Sequence, residues 1–314
     1  MENTTAVSPP PAAVGVWTVP ARKFALWAGF VLLCFALPLY QLFVLSFFSK
    51  RSDFYSYLPL IPFVSGYLFW INRERLPDRP KSSPVAAAVV ALGGLLVVAG
   101  YFIARTRGVA FEISFYLALM TISALLFLLA GMLFFLGGGF LQANVFAVCM
   151  LAFAVPPPQF LLNPVESFLQ TSSAAAATLM FWLAGTPHLT HGTILRLPDI
   201  TIEVAPECSG IHSTVVLFIT SFLAGRLFLR TLWRRATLVL VALPLAILRN
   251  GFRVFTIGEL CVHISPDMID SPIHHKGGPI FFALSLIPFF LLLVFLRKQE
   301  SSRVSPELNR IPSL

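Results

Sequence analysis

The chain has 314 residues, of which 57% are hydrophobic and 11% are charged, and its mean hydropathy is +0.83. A soluble domain carries about 25% charged residues, so this composition excludes an ordinary water-soluble globular protein. The net charge of +8 does not indicate nucleic-acid binding, because the basic residues are distributed along the chain as the topology of a membrane protein requires.

Apolar runs of about 20 residues recur along the chain and predict an all-α polytopic membrane protein. Residues 1–22, rich in Pro, Ala and Val, are expected to form a flexible cytoplasmic N-terminus. Residues 23–298 are expected to form a single integral membrane domain, and residues 299–314 a short cytoplasmic tail. The first apolar run is too long for a signal-peptide core and is interpreted as a span. We expect about eight transmembrane helices, at Phe24–Phe48, Tyr55–Ile71, Pro84–Ala104, Glu112–Phe135, Phe140–Val155, Ser213–Leu229, Thr237–Val262 and Pro279–Leu296.

The distribution of basic residues tests this topology. With the N-terminus in the cytoplasm, fourteen basic residues fall on the cytoplasmic side and six on the outer side, and Arg249 and Arg253 lie inside a span. The positive-inside rule supports this orientation. We therefore expect a multi-pass protein of the inner (cytoplasmic) membrane whose site faces the periplasm or the exterior.

One helical segment, Glu166–Ala184, does not fit the series of spans, because its first half is polar and rich in small residues. Counting it as a span would place Cys208 on the cytoplasmic side, against the charge distribution. We therefore expect an interfacial or re-entrant helix on the outer side, where non-spanning backbone is tolerated if it lines a protein cavity. The alternating stretch Thr193–Val204 then predicts a short outer β-hairpin.

Cys208 is the cysteine most suited to chemistry. The chain has four cysteines (Cys34, Cys149, Cys208 and Cys261) and no C-x-x-C pair, so no zinc or redox motif is indicated. Cys208 lies in the segment Glu207-Cys208-Ser209-Gly210-Ile211-His212, just before an apolar helix. A helix N-terminus favours an anion, and a thiol placed there can be nucleophilic near neutral pH. The alternative is a buried structural thiol.

Two arginines and an asparagine lie within the apolar run Thr237–Val262. A guanidinium group inside a span costs about 2.5–3.5 kcal/mol on insertion scales, so it usually faces a cavity and indicates function. Arg249 and Arg253 are four residues apart and therefore lie on the same helix face. Asn250 follows Arg249 in the sequence. The alternative is a structural ion pair of these arginines with Glu259 or Glu207.

The six histidines all fall on the predicted outer side or at its mouth. His188-x-x-His191 has the spacing of metal ligands, but it lacks Cys or carboxylate companions in a fixed pattern, and no metal or other cofactor is expected. His274 and His275 precede the last span, where a histidine either acts as a base toward the thiol or is simply solvated.

Three separated elements coincide: Glu207-Cys208-Ser209-Gly210-Ile211, then Asn250-Gly251-Phe252-Arg253, then His274 with Gly278 and Phe281-Phe282 beyond it. This pattern resembles the exosortase/archaeosortase family of polytopic membrane cysteine transpeptidases, over roughly Phe24 to Phe295. Tyr55–Pro62 and Val155–Pro158 are similar to further signatures of that family.

The resemblance implies that residues 23–298 are a catalytic domain in which Cys208 is the nucleophile, Arg253 the arginine and His274 the histidine. The candidate supporting residues are Arg249, Asn250, His275, Glu207, Ser209 and His212. His275 and Arg249 remain the alternatives to His274 and Arg253.

The resemblance also implies acyl transfer through a thioester. The substrate would be a secreted protein with a C-terminal sorting signal, which consists of a short motif, a hydrophobic span and a basic tail. The acceptor would be an unidentified nucleophile at the cell surface, or water. The alternative is a non-enzymatic transporter, or a scaffold of exopolysaccharide export, whose arginines line a substrate path. Such a protein should tolerate the loss of Cys208, whereas an acyl-transfer enzyme should not.

Overall fold

The computed structural model describes residues 14–48, 55–77, 79–198, 200–205, 209–273 and 277–308. The chain is mostly helical and divides into two compact units, Met1–Gln159 and Phe160–Leu314. Among the described residues, five helices are long and apolar enough to cross a membrane, or up to seven spans if two bent helix pairs each count as one. The polytopic helical class is therefore confirmed, whereas the expected number of eight spans is not.

The first unit contains seven α-helices in its described residues, α1 (Val14–Cys34), α2 (Ala36–Phe48), α3 (Leu60–Ile71), α4 (Pro84–Thr106), α5 (Ile113–Gly131), α6 (Gly138–Ala143) and α7 (Val145–Leu151). A π-helical turn, Met132–Leu136, extends α5. α4 and α5 are joined within the apolar interior by a hydrogen bond from Ser123 Oγ to the Gly94 carbonyl, 2.8 Å. These two helices confirm the spans predicted at Pro84–Ala104 and Glu112–Phe135.

Three of the predicted spans in this unit are not single long helices. Phe24–Phe48 is broken near Phe35, and α1 and α2 are bent by 70°. Pro38 explains the break, because a proline at this position cannot donate to the carbonyl of Cys34 and its ring clashes with it. Tyr55–Ile71 is helical only over the 12 residues of α3, about 18 Å at 1.5 Å per residue.

Phe140–Val155 is divided into α6, α7 and the 3₁₀ turn Ala152–Ala154. The helix is interrupted at Asn144, whose φ of −117° is not helical. Neither α6, with 6 residues, nor α7, with 7 residues, is long enough to cross a bilayer.

The second unit contains the helices α8 (Gln159–Ala184), α9 (Ile211–Phe228), α10 (Leu232–His263) and α11 (Gly278–Leu308), together with the strands β1 (Leu189–His191), β2 (Ile194–Arg196) and β3 (Thr201–Glu203). The strands form an antiparallel sheet in the order β1-β2-β3, and Leu195 pairs with Ile202. The predicted hairpin is thus confirmed, and β1 extends it by one strand. α8 begins seven residues before the predicted start at Glu166, and its placement at the interface stays a prediction.

The sheet packs on α8 and on the last third of α10. Leu195 and Ile202 are buried in one cluster with Phe181 of α8 and Val254 of α10. A Cβ atom added at Gly258 would overlap the Phe181 ring and lie 3.0 Å from Leu197 Cδ1, so only glycine allows this approach. Gly251 has the same role toward α8, because a Cβ there would lie 2.6 Å from the Ala176 Cβ.

α9 and α10 form an antiparallel helical hairpin in which α10 is much longer than α9. α9 has 18 residues and α10 has 32, which corresponds to about 27 Å and 48 Å. Gly210, at the start of α9, lies beside Arg249. α10 continues about 21 Å beyond Arg249 to His263 and is longer than the roughly 30 Å hydrocarbon core of a bilayer. Arg249 therefore lies level with the first turn of α9, and the expectation that both arginines lie inside a span stays a prediction.

The turn between α9 and α10 is closed by Glu300 of α11. The Glu300 carboxylate accepts hydrogen bonds from the backbone N–H groups of Arg230 and Thr231, at 2.9 and 2.7 Å, and from the Thr231 hydroxyl. Arg234 Nη1 lies 3.7 Å from the same carboxylate, and the Arg234 side chain is only 4% exposed. This carboxylate therefore binds the turn that precedes α10 and compensates a buried cation.

Glu300→Gln is expected to destabilise the protein by about 1–3 kcal/mol, because the neutral amide leaves Arg234 buried without its counter-charge. The measurement is the thermal unfolding midpoint of the protein in detergent. Glu203→Gln changes the exposed carboxylate at the end of β3 and should leave the midpoint unchanged. Equal midpoints for the two variants would show that the contacts of Glu300 do not contribute to the stability of the protein.

Candidate functional site

Gly210 is the centre of the described part of the site. It precedes α9 with a φ of +72°, in the left-handed region that favours glycine. Its carbonyl oxygen accepts from Arg249 Nη2 at 3.2 Å and from the Thr214 backbone N–H at 3.0 Å. A Cβ atom added at Gly210 would lie 2.9 Å from Asn250 Oδ1 and 3.0 Å from Arg249 Nη2. The motif following Cys208 is thus in direct contact with the Arg249-Asn250 pair of α10.

The chain on either side of the predicted nucleophile is anchored. The Val204 carbonyl accepts from Gln170 Nε2 of α8 at 3.2 Å, and the Val204 N–H donates to the Thr193 carbonyl at 2.9 Å. Ser209 is buried, and its hydroxyl oxygen accepts from the Ile211 N–H at 3.4 Å. The segment that carries Cys208 therefore begins at a strand bound to α8 and ends at a helix start bound to α10.

Four of the predicted site residues lie outside the described residues: Glu207, Cys208, His274 and His275. Their roles stay predictions from the sequence. The other predicted residues are Ser209, His212, Arg249, Asn250 and Arg253, and all of them are described. Of these five, the structure brings Ser209, Arg249 and Asn250 to Gly210 or its immediate neighbours. His212 lies in the first turn of α9 and is half-buried.

The two arginines differ in their surroundings. Arg249 is buried, with 8% of its surface exposed, and Asn250 beside it is also buried. Arg253 is half-buried and lies one turn further along α10. Like charges four residues apart on a helix repel. Each guanidinium group therefore favours a hydrogen-bond acceptor or an anion beside it.

The alternative of an ion pair between Arg249 and Glu259 is wrong. Glu259 instead accepts from the Thr186 hydroxyl at 2.5 Å, and its carboxylate lies 2.9 Å from His263 Nε2. Ten residues of helix separate Arg249 from Glu259, about 15 Å along the axis, which exceeds the reach of the two side chains. The alternative pairing with Glu207 falls on a residue outside the described part of the chain.

His188, the first residue of the metal-like spacing, contacts the backbone and an aromatic ring. His188 Nδ1 lies 2.8 Å from the Thr186 carbonyl oxygen, and its ring packs against Phe181 at a centroid distance of 5.9 Å. No group of three or more His, Cys, Asp or Glu side chains that suits a metal occurs among the described residues.

Gln170 is a functional candidate that the sequence analysis did not select. It binds the strand that leads to Cys208, although it lies 38 positions earlier in the chain. The only local signal is an amide among the small and apolar residues of α8. An amide in such a helix indicates a hydrogen bond to another element, but it does not indicate which one.

Comparison with known proteins identifies the family of the chain. The family model described as transmembrane exosortase (Exosortase_EpsH) matches residues 49–291, more than three quarters of the chain, and the match includes every predicted site residue. No curated protein and no solved structure matches the chain. The chain belongs to the transmembrane exosortase family.

Proposed function

We propose that the protein is a membrane-embedded cysteine transpeptidase or peptidase. It cleaves the C-terminal sorting signal of secreted proteins and transfers them to an acceptor at the cell surface. The observation that carries this proposal is the contact of Arg249 and Asn250 with Gly210, two residues after Cys208, within a chain of the exosortase family. This contact joins two of the three sequence elements on which the resemblance rests.

The proposed reaction begins with the Cys208 thiolate, which attacks the carbonyl carbon of the scissile peptide bond. A C–S bond forms, and the carbonyl π electrons move to oxygen. The tetrahedral intermediate then collapses, the C–N bond breaks, and His274 gives its proton to the leaving amine. An acceptor amine or hydroxyl group, or water, gives a proton to His274 and attacks the thioester carbonyl. The C–S bond then breaks, which releases the thiolate and restores the protonated histidine.

Arg253 is proposed to stabilise the developing oxyanion or to orient the substrate backbone. A guanidinium offers a rigid planar fork of donors that matches carbonyl or carboxylate oxygens. No organic cofactor or metal has a role in this sequence of steps. The proposed substrate supplies its own membrane anchor, because a hydrophobic span and a basic tail place the cleaved motif at the bilayer surface.

The experiment that tests this function uses a secreted protein from the same organism that ends in a short motif, a hydrophobic span and a basic tail. It is produced in a heterologous host with and without this chain, and the product is identified by intact mass. We expect the span and tail to be removed only when the chain is present. Persistence of the full-length substrate in both hosts would contradict the proposal.

The mass of the product also distinguishes the two reactions that consume the thioester, hydrolysis and transpeptidation. Hydrolysis leaves a new C-terminal carboxyl group, whereas transpeptidation adds the mass of the acceptor. In a host that lacks the natural acceptor, we expect the hydrolysed product.

A further inference from the structure

We propose that the outer edge of β3 binds the substrate as an added β-strand. The ligand is an extended peptide, the segment of the tail-bearing protein around its cleaved motif, and it pairs with the backbone of Thr201 and Glu203. This inference rests on the proposed function and names the surface that positions the substrate for Cys208.

The pairing of β3 with β2 determines which backbone groups of β3 face its neighbour. On either side of the paired strands, the Leu197 N–H donates to the Ile200 carbonyl at 2.8 Å, and the Val204 N–H donates to the Thr193 carbonyl at 2.9 Å. Residues that bond to one neighbour alternate along an antiparallel strand. The even-numbered positions therefore bond to β2, and Ile202 is the one within β3.

The odd-numbered residues of β3, Thr201 and Glu203, consequently direct their backbone N–H and carbonyl groups away from β2. The Glu203 carbonyl accepts from the Ala205 N–H at 2.9 Å. The other three groups have no hydrogen-bond partner in the part of the chain that the structure describes, and both residues are exposed. Proteins usually cover or blunt an open strand edge, because it pairs readily with another extended chain. This edge therefore suits a peptide that adds one strand to the sheet.

The position of this edge in the chain indicates which peptide would bind there. β3 leads directly to the predicted nucleophile, because Cys208 follows Glu203 by five positions. Their Cα atoms are therefore at most about 17 Å apart. A peptide of a few residues is long enough to pair with β3 and also to reach the thiol. β1 lies on the far side of β2, so its edge has no such connection to Cys208.

The edge is also held in place by the core of the second unit. Ile202 is buried in one cluster with Phe181 of α8 and Val254 of α10. Directly after β3, the Val204 carbonyl accepts from Gln170 Nε2 of α8 at 3.2 Å. A bound peptide would thus pair with a backbone that is ordered before the substrate arrives, which reduces the entropic cost of binding.

The proposed pairing uses alternate residues of the peptide. The N–H groups of Thr201 and Glu203 donate to two peptide carbonyls that are two positions apart, and the Thr201 carbonyl accepts from a peptide N–H. The intervening peptide residue directs its backbone groups away from β3. Sensitivity of the peptide to backbone modification should therefore have a period of two residues.

The first test uses Thr201→Pro in the purified full-length protein. Proline removes the outward N–H, and an edge strand tolerates proline where the lost N–H does not belong to the ladder. Two rates are measured on each sample: processing of the tail-bearing substrate, and acetylation of Cys208 by p-nitrophenyl acetate, which is too small to pair with β3. The matched control is Thr190→Pro on β1, whose N–H also points away from β2.

We expect Thr201→Pro to lower the ratio of processing to acetylation at least about fivefold, the effect of losing a hydrogen bond, through a higher KM. Thr190→Pro should leave this ratio within about twofold of the wild-type value. An unchanged ratio for Thr201→Pro, or an equal fall for Thr190→Pro, would overturn the inference and leave the proposed function intact. If wild-type Cys208 is acetylated but the substrate is never processed, the proposed function fails and the inference fails with it.

A second test leaves the protein unchanged, so it does not depend on the folding of a variant. Synthetic peptides that cover the substrate motif each carry one N-methyl group, at successive positions, and are measured as competitive inhibitors of processing. An N-methyl group removes a donor and blocks close pairing, so inhibition should weaken about fivefold or more where the N–H faces β3, and not at the adjacent positions. Equal weakening at consecutive positions, or at none, would overturn the inference.

Discussion

Cys208→Ala is expected to abolish removal of the C-terminal span and tail from the substrate. The thiolate is the group that forms the acyl intermediate, and the alanine methyl group cannot replace it. Loss of a catalytic nucleophile reduces the rate by about a millionfold in a well-studied protease, so no product should be detected. The measurement is the amount of processed substrate at matched levels of membrane-inserted enzyme.

The matched controls are the two cysteines on exposed helix surfaces, Cys34 and Cys149. Cys34→Ala and Cys149→Ala should both retain near wild-type processing, because neither cysteine belongs to the motifs that predict the site. Normal processing by Cys208→Ala would support the transporter or scaffold interpretation, in which the arginines line a path and the thiol has no chemical role.

Gly210→Ala is expected to remove most of the activity while the protein still inserts into the membrane. A left-handed φ of +72° costs a non-glycine residue about 1–2 kcal/mol. In addition, the new Cβ atom would lie 2.9 Å from Asn250 Oδ1. The backbone must therefore move away from α10, which breaks the hydrogen bond to Arg249 and displaces the segment that carries Cys208. Processing should fall at least about tenfold, the effect of about 1.4 kcal/mol on the activation free energy.

Gly192→Ala separates backbone strain from the effect of close contact. Gly192 also has a positive φ, +61°, but nothing lies within 4 Å of a Cβ atom added there. Both variants therefore carry similar strain, and only Gly210→Ala disturbs the contact with α10. If the two variants lost activity equally, the close approach of Gly210 to Arg249 and Asn250 would have no functional importance.

The features that follow from local sequence patterns could be predicted. The long apolar runs predicted the helical membrane class and the helices α4, α5, α9, α10 and α11. The alternation in Thr193–Val204 predicted a hairpin because alternate residues of a strand face one side of a sheet, and Leu195 and Ile202 are the buried members. The motif around Gly210 and the asparagine-arginine motif of α10 predicted a common site, and the two segments are in contact.

The features that depend on tertiary geometry could not be predicted. Hydropathy does not distinguish one span from two helices joined at a bend, so the effect of Pro38 on Phe24–Phe48 was not apparent. The position of Arg249 beside the first turn of α9 depends on how far α10 extends beyond α9, and the close approach of Gly258 to Phe181 and Leu197 stabilises this extension. The partner of Glu259 depends on the rotation of α10, which presents this carboxylate to Thr186.

The choice between the two arginines illustrates the same limit. The sequence motif favours Arg253, and the geometry brings Arg249 to Gly210. Which of the two arginines acts on the substrate stays a prediction. The spacing of four residues places both guanidinium groups on one helix face, as a shared substrate path requires.

The most direct test of the account is detection of the acyl-enzyme. The purified protein is mixed with its tail-bearing substrate, the reaction is stopped with acid within the first turnover, and the enzyme is analysed by intact and peptide mass spectrometry. We predict an adduct on Cys208 with the mass of the substrate up to the cleaved bond, which hydroxylamine removes, as expected of a thioester. Cleavage of the substrate without any adduct on Cys208, or with the adduct on another residue, would contradict the account.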